Sequence, residues 1–180
     1  MRVKFVGHLE NARIPIQIDL GFGDAITPAP VEAELRTLLD FPAAKLLTYP
    51  RESVVAEKFE AIVSLGMANI RMKDLHDIRS LLREFAFKGA VLSEAIAKTF
   101  TTRGTKLPTG QVLVFTPEFF DNEDKKNQWR AFCNKNNGYV AEASLGAICI
   151  DIAGFLMPVL EMARRHERLQ FSWLAGGPWR

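Results

Sequence analysis

A lysine and an aspartate fall on the apolar sides of two neighbouring predicted helices, where a charge is costly unless it has a partner. Counted at about 100° per residue, Lys58 projects from the middle of an apolar arc. Asp74 falls within the apolar arc of the next helix, and Asp77 falls at the edge of that arc. An inward carboxylate must be paired or hydrogen-bonded, because an isolated buried charge is prohibitively costly. We therefore expect Lys58 and Asp74 to face each other across a groove.

Four basic residues are candidate partners of Asp74: Lys58, Arg71, Lys73 and Arg103. One hypothesis is a buried ion pair that ties the two helices together. The other is a functional cleft, in which Lys58 and Arg71 meet phosphate and Asp74 orients them. Lys58 can also extend its ammonium out of the arc into solvent. Lys73 and Asp77 are spaced i,i+4, which also suits a surface salt bridge worth a few tenths of a kcal/mol.

The same helical count assigns the other polar residues of these helices to solvent. On the first helix these are Ser53, Glu57, Glu60 and Ser64, and on the second they are His76, Arg79 and Arg83. Basic residues along adjacent helices also suggest an RNA-binding surface of Arg71, Lys73, Arg79, Arg83, Lys98, Arg103 and Lys106. Lysine and arginine are common on solvated helix faces, so an ordinary structural interpretation stays open.

The elements that must position these residues are predicted to be strands first and helices afterwards, an α+β fold. A short β-prone run at 2–6 is followed by a turn at 10–12 and an alternating strand at 14–20. We expect extended segments at 38–42 and 45–48, each bounded by proline. Helical periodicity then predicts helices over residues 52–65, 73–85, 89–100, 124–135 and 141–165. The aromatic tail after Trp173 reads as irregular.

Composition indicates a soluble globular protein: 48% of the 180 residues are hydrophobic, 24% are charged, and the net charge is +2. Cys133 and Cys149, with three scattered histidines, lack the spacing of a zinc site, so both thiols are predicted to be reduced and packed. The longest apolar stretch, at 147–160, is too short to span a bilayer. With no signal sequence at the start, we expect a cytoplasmic protein and no membrane.

Two motifs contain the charged residues described above: YPRESVVAEK at 49–58 and NIRMKDLHD at 69–77. Both resemble the central motifs of the AbiEii/AbiGii-type nucleotidyltransferase toxins. Smaller pieces are also similar: Thr99-Phe100 followed by Arg103-Gly104-Thr105, Gln128-Trp129 with Phe132, and the Gly-Gly-Pro-Trp tail at 176–179. The resemblance runs from about residue 14 to the end. The Ala-Glu-Lys and Arg-x-Lys-Asp-x-x-Asp combination is much more specific than any single piece.

The resemblance implies a polymerase-β-like nucleotidyltransferase core, with its sheet remnant at residues 1–50 and a helical C-terminal domain at 51–180. Family members are the toxin half of abortive-infection or toxin–antitoxin systems. They bind nucleoside triphosphates, and relatives transfer nucleotides onto RNA such as the tRNA acceptor end. In that scheme the catalytic residues are Asp19, Lys58 and Asp74, with Asp19 as the metal ligand. The nucleotide-binding residues are Lys58, Arg71, Lys73 and Asp77.

The metal-binding motif of that family is missing from this sequence. Nucleotidyl transfer needs Mg²⁺ held by clustered carboxylates, which the family supplies from a Gly-Ser followed by Asp-x-Asp. Neither Gly-Ser nor Asp-x-Asp occurs here, and Asp19 alone cannot hold two metals. Three explanations are open: a fragment or mis-started frame, completion by another polypeptide, or a degenerate homologue that only binds. We therefore expect no catalysis from this chain by itself.

A different class of function is a non-catalytic interaction module. The alternating N-terminal strands lack a covering element in the sequence, which predicts a bare β edge, with the cover either missing upstream or supplied by a partner. Trp173 and Trp179 would then be exposed and would contact a partner protein, either a cognate antitoxin or a second copy of the chain. A large exposed apolar patch around the N-terminal hairpin would support this hypothesis.

Overall fold

The chain begins with two antiparallel ribbons, each of two strands. The computed structural model describes residues 1–23, 26–136, 143–166 and 170–180. The strands are β1 (Arg2–Leu9), β2 (Ala12–Asp19), β3 (Val31–Leu35), β4 (Ala44–Thr48), β5 (Phe87–Lys88) and β6 (Ser172–Trp173). β1 pairs with β2, β3 with β4, and β5 with β6, all antiparallel. The predicted extended segment at 38–42 is wrong, because residues 38–41 form the bend between β3 and β4.

Helices dominate the rest of the chain, so the predicted α+β class is confirmed. They are α1 (Arg51–Leu65), α2 (Met72–Glu84), α3 (Gly89–Arg103), α4 (Pro117–Phe120), α5 (Glu123–Lys135) and α6 (Leu145–Arg165). Five of them match predicted helices to within a few residues. The predicted start at Ala141 lies outside the described residues, and the described helix begins after Ser144, whose side chain accepts the Ala147 N–H as an N-cap.

α1 lies between other elements and exposes little of its surface to solvent. The prediction that Ser53 and Glu60 face solvent is therefore wrong. α1 packs against α2 and α3, and Phe59 lies against Phe100 and Phe115. Ser53 is fully buried, where its hydroxyl donates to the Thr27 carbonyl and accepts the Thr27 N–H. Glu60 is buried as well. A helix with neighbours on several sides buries polar positions too, and these then need specific partners.

α6 is the apolar centre of the helical body and packs against α2 and α3. Its 21 residues are long and apolar enough to cross a bilayer by length and composition only, a test that the core helix of a soluble protein also passes. Half of it is buried inside the fold, and Asp151 on its flank pairs with Arg79 of α2 at 2.9 Å. Cys149 on this helix is buried, and burial raises the pKa of its thiol to about 12, so the thiol stays protonated.

The aromatic tail folds back onto the helices, so the expectation of an exposed Trp173 is wrong. Trp173 is buried against Phe155, and its indole N–H donates to the Leu82 carbonyl at 2.6 Å. Trp179 is half-buried, stacks on Phe155 and donates to the Phe155 carbonyl. At Gly177, where φ is +85°, a Cβ would lie 2.7 Å from the Trp173 ring. Only glycine fits there, because both the backbone angle and the contact exclude a side chain.

Candidate functional site

Lys58 joins α1 to α2 through two carboxylates. Its Nζ donates to Asp74 Oδ1 at 2.7 Å and to Asp77 Oδ2 at 2.7 Å. The Asp74 side chain is 6% exposed and that of Lys58 is 20% exposed. Lys73 also donates to Asp77, at 2.6 Å, from the solvent side. The predicted encounter of Lys58 with Asp74 is therefore confirmed, and an ion-pair network ties the two helices together.

The contacts of this network keep its charges fixed at neutral pH. Burial lowers the pKa of Lys58, but its hydrogen bonds to Asp74 and Asp77 outweigh burial and raise the pKa above the ordinary 10.5. Burial likewise raises the pKa of Asp77, but the hydrogen bonds from Lys58 and Lys73 outweigh it and hold the pKa below the ordinary 3.8. Lys58 is thus a cation and Asp77 an anion over the whole physiological range.

Asp74 has a second cationic neighbour, Arg71, which immediately precedes α2. Its Nε lies 3.0 Å from Asp74 Oδ2. The N–H is not aligned for a hydrogen bond, and Asp74 Oδ2 accepts none from any other described residue. A buried carboxylate oxygen usually accepts hydrogen bonds, and leaving one without them is costly. This oxygen is shielded from solvent, so the nearby Arg71 guanidinium balances its charge without a hydrogen bond.

These residues line a cleft of about 280 Å³, which we call the charged cleft. Its lining residues are Tyr49, Val54, Glu57, Lys58, Arg71, Asp74 and Arg103. Three cations and two carboxylates thus converge on one small space. Clustered cations in a confined space attract an anion, and phosphate oxygens match the guanidinium geometry of arginine. The arrangement suits a phosphate group that reaches the cations from the open side of the cleft.

Arg103 was a candidate partner of Asp74, but the structure pairs it with α1 instead. Its Nη1 lies 2.8 Å from Glu60 Oε2, and its Nη2 lies 3.5 Å from Glu57 Oε2. The Thr105 hydroxyl also donates to Glu60. Helical counting placed Glu60 in solvent and therefore missed this bridge from the end of α3 to α1. The Arg-Gly-Thr segment was noted in the sequence only as part of a motif, and its position in the chain does not indicate which residue Arg103 pairs with.

Two residues assigned to solvent on α2 are instead part of helix packing. Arg79 is largely buried and pairs with Asp151 of α6, so it does not belong to the suggested RNA-binding surface. His76 packs its ring against Phe132 of α5, with 5.8 Å between ring centroids. Both lie on a flank of α2 that the neighbouring helices cover. Periodicity within one helix reports its most apolar side but not how many neighbours the helix has.

A larger groove of about 800 Å³ adjoins the charged cleft, and Tyr49 and Val54 line both spaces. We call it the apolar groove. Its further lining includes Val31, Arg51, Phe85, Phe87, Trp173 and Leu174. The Arg51 guanidinium lies 4.6 Å above the centre of the Phe85 ring, which gives the groove a flat cationic and aromatic platform. An aromatic ligand can stack on such a platform.

A buried lysine of α5, Lys125, holds the loop that carries Arg71. Asn69 is fully buried, and its Oδ1 accepts the Arg71 backbone N–H at 2.8 Å. The Lys125 ammonium donates to the Asn69 carbonyl at 3.0 Å and lies 5.4 Å from the Phe119 ring. Lys125 is 5% exposed, so these contacts replace water around its charge. Sequence reasoning did not single out Lys125 or Asn69.

We expect Lys125→Met to lower the free energy of unfolding by about 2 kcal/mol, because it removes a charged hydrogen bond to a buried carbonyl. The adjacent variant Lys126→Met is the matched control: Lys126 is 39% exposed and pairs with Glu123 on the surface, so we expect almost no change. Urea denaturation followed by circular dichroism measures both. Equal losses in the two variants would contradict a special role for Lys125.

The described residues do not fit a Mg²⁺ site. Asp19, the predicted metal ligand, lies on the exposed β1–β2 ribbon, where Arg2 pairs with it at 2.6 Å. The hydrogen bond from Arg2 holds the pKa of Asp19 below its ordinary value. Asp74 and Asp77 are both engaged by Lys58. Across the part of the chain that the structure describes, no three acidic, histidine or cysteine side chains form a metal-binding group. No step that needs Mg²⁺ is therefore assigned to these residues.

Comparison with known families agrees with the motifs around Lys58 and Asp74. A family model described as the nucleotidyl transferase AbiEii toxin of the type IV toxin–antitoxin system matches residues 1–148 of the chain. No curated protein and no solved structure matches the chain significantly. The match spans both ribbons, the charged cleft and the start of α6. The chain therefore belongs to the AbiEii family of nucleotidyl transferase toxins of type IV toxin–antitoxin systems.

Proposed function

We propose that this chain binds a nucleoside triphosphate, with the phosphates in the charged cleft and the nucleoside in the apolar groove. The observation that carries the proposal is the shared wall of the two spaces: Tyr49 and Val54 line both. A ligand at this wall meets cations on one side and an aromatic platform on the other. A nucleoside triphosphate has the matching polarity, because a polyanionic chain leads to a flat aromatic base.

Arg71 is the proposed first contact for phosphate. Its side chain is 57% exposed, and its Nε lies 3.0 Å from Asp74 Oδ2. The two terminal nitrogens of the guanidinium suit a bidentate contact with phosphate oxygens. Lys58 lies deeper and is neutralised by two carboxylates, so we assign it mainly to holding α2 in place and to attracting the ligand at short range. Lys73 and Asp77 then act at the outer rim, where Lys73 is well exposed.

Family membership suggests nucleotide transfer onto RNA. For this chain we propose only the first step of that activity, the binding of the nucleotide. Transfer requires metal-held carboxylates, which the described residues do not gather. Asp74 Oδ2 is shielded from solvent and accepts no hydrogen bond from a described residue, so we assign Asp74 to holding Lys58 and Arg71 in place. The proposed roles of Asp19 and Asp74 in catalysis therefore depend on a metal site that these residues do not form.

The proposal predicts that GTP raises the melting temperature of the parent and that Arg71→Ala weakens GTP binding at least tenfold, or about 1.4 kcal/mol. The variant loses the exposed guanidinium contact with phosphate. Differential scanning fluorimetry over a GTP titration gives the affinity, because stabilisation grows with ligand concentration relative to the dissociation constant. Arg83→Ala, at the other end of α2, is the control and leaves the affinity unchanged. Equal stabilisation of parent and Arg71→Ala would overturn the proposal.

Two further ligand comparisons separate the phosphate side from the nucleoside side. Inorganic tripolyphosphate fills only the charged cleft, so Arg71→Ala weakens its binding and Phe85→Ala does not. GTP also occupies the apolar groove, so Phe85→Ala weakens its binding through the loss of the stacking platform. A Phe85→Ala effect that is equal for both ligands would contradict the placement of the nucleoside in the groove.

A further inference from the structure

Arg71, the proposed phosphate contact, lies on a loop whose backbone is fixed by one buried amide. Asn69 is fully buried, and its Oδ1 accepts the Arg71 backbone N–H at 2.8 Å. The loop continues into α2, where the Asp74 N–H donates to the Arg71 carbonyl at 3.0 Å. Asn69 Nδ2 is shielded from solvent and has no hydrogen-bond partner among the described residues. The acceptor oxygen is therefore the part of the Asn69 side chain that fixes the backbone leading into Arg71.

Lys125 of α5 binds the main chain of Asn69. Its ammonium donates to the Asn69 carbonyl at 3.0 Å and to Gln128 Oε1 at 3.3 Å, and the centre of the Phe119 ring lies 5.4 Å away. Lys125 is 5% exposed, and it forms no ion pair with a carboxylate among the described residues. Its hydrogen bonds thus go to a backbone carbonyl and a side-chain amide, which fix the position of Asn69 and neutralise no charge.

The residues around Gln128 hold α5 in place. Trp129 is buried, and the Phe132 ring lies 5.4 Å from the Trp129 ring and 5.8 Å from the ring of His76 on α2. Gln128, Trp129 and Phe132 were noted in the sequence only as a motif similar to that of the AbiEii toxins. In the structure, Gln128 orients the Lys125 ammonium, and the two aromatic rings hold α5 against α2.

We propose that Lys125 and Asn69 are positioning residues for Arg71, and that they hold its guanidinium ready for phosphate in the charged cleft. This inference rests on the proposed binding of phosphate at that cleft. An arginine on an unrestrained loop must be ordered during binding, so a backbone that is fixed beforehand strengthens the binding. Asp74 restrains the same side chain from α2, since its Oδ2 lies 3.0 Å from Arg71 Nε.

Isothermal titration calorimetry of the full chain with inorganic tripolyphosphate measures the effect. Lys125→Met and Asn69→Ala are each expected to weaken binding about fivefold, because Arg71 must then be ordered as the ligand binds. Asn69→Asp is expected to keep the parent affinity. It retains the acceptor oxygen, and the Lys125 ammonium lies beside the added charge.

Two controls separate positioning from loss of charge and from loss of stability. Lys126→Met removes the same charge from the surface of α5. Ile152→Val destabilises a fully buried position of α6, away from the charged cleft. Both are expected to bind tripolyphosphate like the parent. Far-UV circular dichroism checks that each variant is folded, and the two Asn69 variants decide the question by themselves if Lys125→Met does not fold.

The double variant that combines Arg71→Ala with Lys125→Met shows whether Lys125 acts through Arg71. It is expected to bind as weakly as Arg71→Ala alone, because both substitutions then remove one interaction. Losses that multiply would overturn the inference, and so would an Asn69→Asp protein that binds as weakly as Asn69→Ala. Parent affinity in both Lys125→Met and Asn69→Ala, with Arg71→Ala weakened, would overturn this inference alone. Parent affinity in Arg71→Ala would overturn the proposed phosphate site and this inference with it.

Discussion

Phe155→Ala is expected to lower the free energy of unfolding by about 4 kcal/mol, as is typical when a buried phenylalanine is truncated. Phe155 is fully buried at the centre of α6. Its ring meets Phe87 and Trp173 edge-on at 5.0 Å and stacks with Trp179 at 5.6 Å. The substitution therefore opens a cavity and also removes the surface on which the C-terminal tail docks. Chemical denaturation followed by tryptophan fluorescence measures the loss.

Phe22→Ala is the matched control, because Phe22 is 79% exposed and its truncation leaves no cavity. We expect a change within about 0.5 kcal/mol, as for most surface substitutions. The tail supplies a second readout, since Phe155→Ala frees two tryptophans and red-shifts their emission. A Phe155→Ala protein that keeps both the parent stability and the parent emission would show that the tail does not depend on this contact.

Lys58→Met is expected to destabilise the protein by about 2 kcal/mol at neutral pH. It removes the only side chain that donates to both Asp74 and Asp77 among the described residues. Breaking a fully buried ion pair costs about 3–5 kcal/mol, and we expect less here because Lys58 retains some solvent contact. Methionine keeps the apolar length of the side chain, so the loss reports the charge. Lys45→Met, at an exposed ion pair with Glu34, is the control and changes little.

The difference between parent and Lys58→Met is expected to shrink at both ends of the pH range. The folded pKa of Asp77 lies below 3.8, so its stabilisation is present above that pH and is lost as the pH falls through the folded value. The folded pKa of Lys58 lies above 10.5, so its stabilisation is present below that pH and is lost as the pH rises through the folded value. A pH-independent difference would contradict the ion-pair network.

Helix periodicity was sufficient to predict the Lys58–Asp74 encounter. Both residues lie on the apolar sides of helices that are short-range features of the sequence, and two such sides must face a common interior. The helix boundaries followed from the same signal. The ribbon of β1 and β2 was likewise visible in the alternation at residues 14–20, since strand periodicity is local as well.

Long-range pairings were missed because no local pattern specifies them. Arg103 reaches Glu60 from 43 residues away, and Lys125 reaches Asn69 from 56 residues away. Each pairing depends on which helix faces come together, and many combinations satisfy the same amphipathic patterns. The assignment of Glu60 to solvent was wrong for this reason. A helix that packs on one neighbour exposes its opposite side, but α1 has a second neighbour that buries this side.

The sequence by itself determined the α+β class, the helices, the two motifs of the AbiEii family and the inward direction of Lys58 and Asp74. These properties depend on residue types and on spacings within one element. Only the tertiary structure decided that Trp173 is buried, that Arg103 bridges to α1, and that the charged cleft shares Tyr49 and Val54 with an apolar groove. The physical reason is that burial and cleft shape arise from the packing of distant elements, which periodicity does not encode.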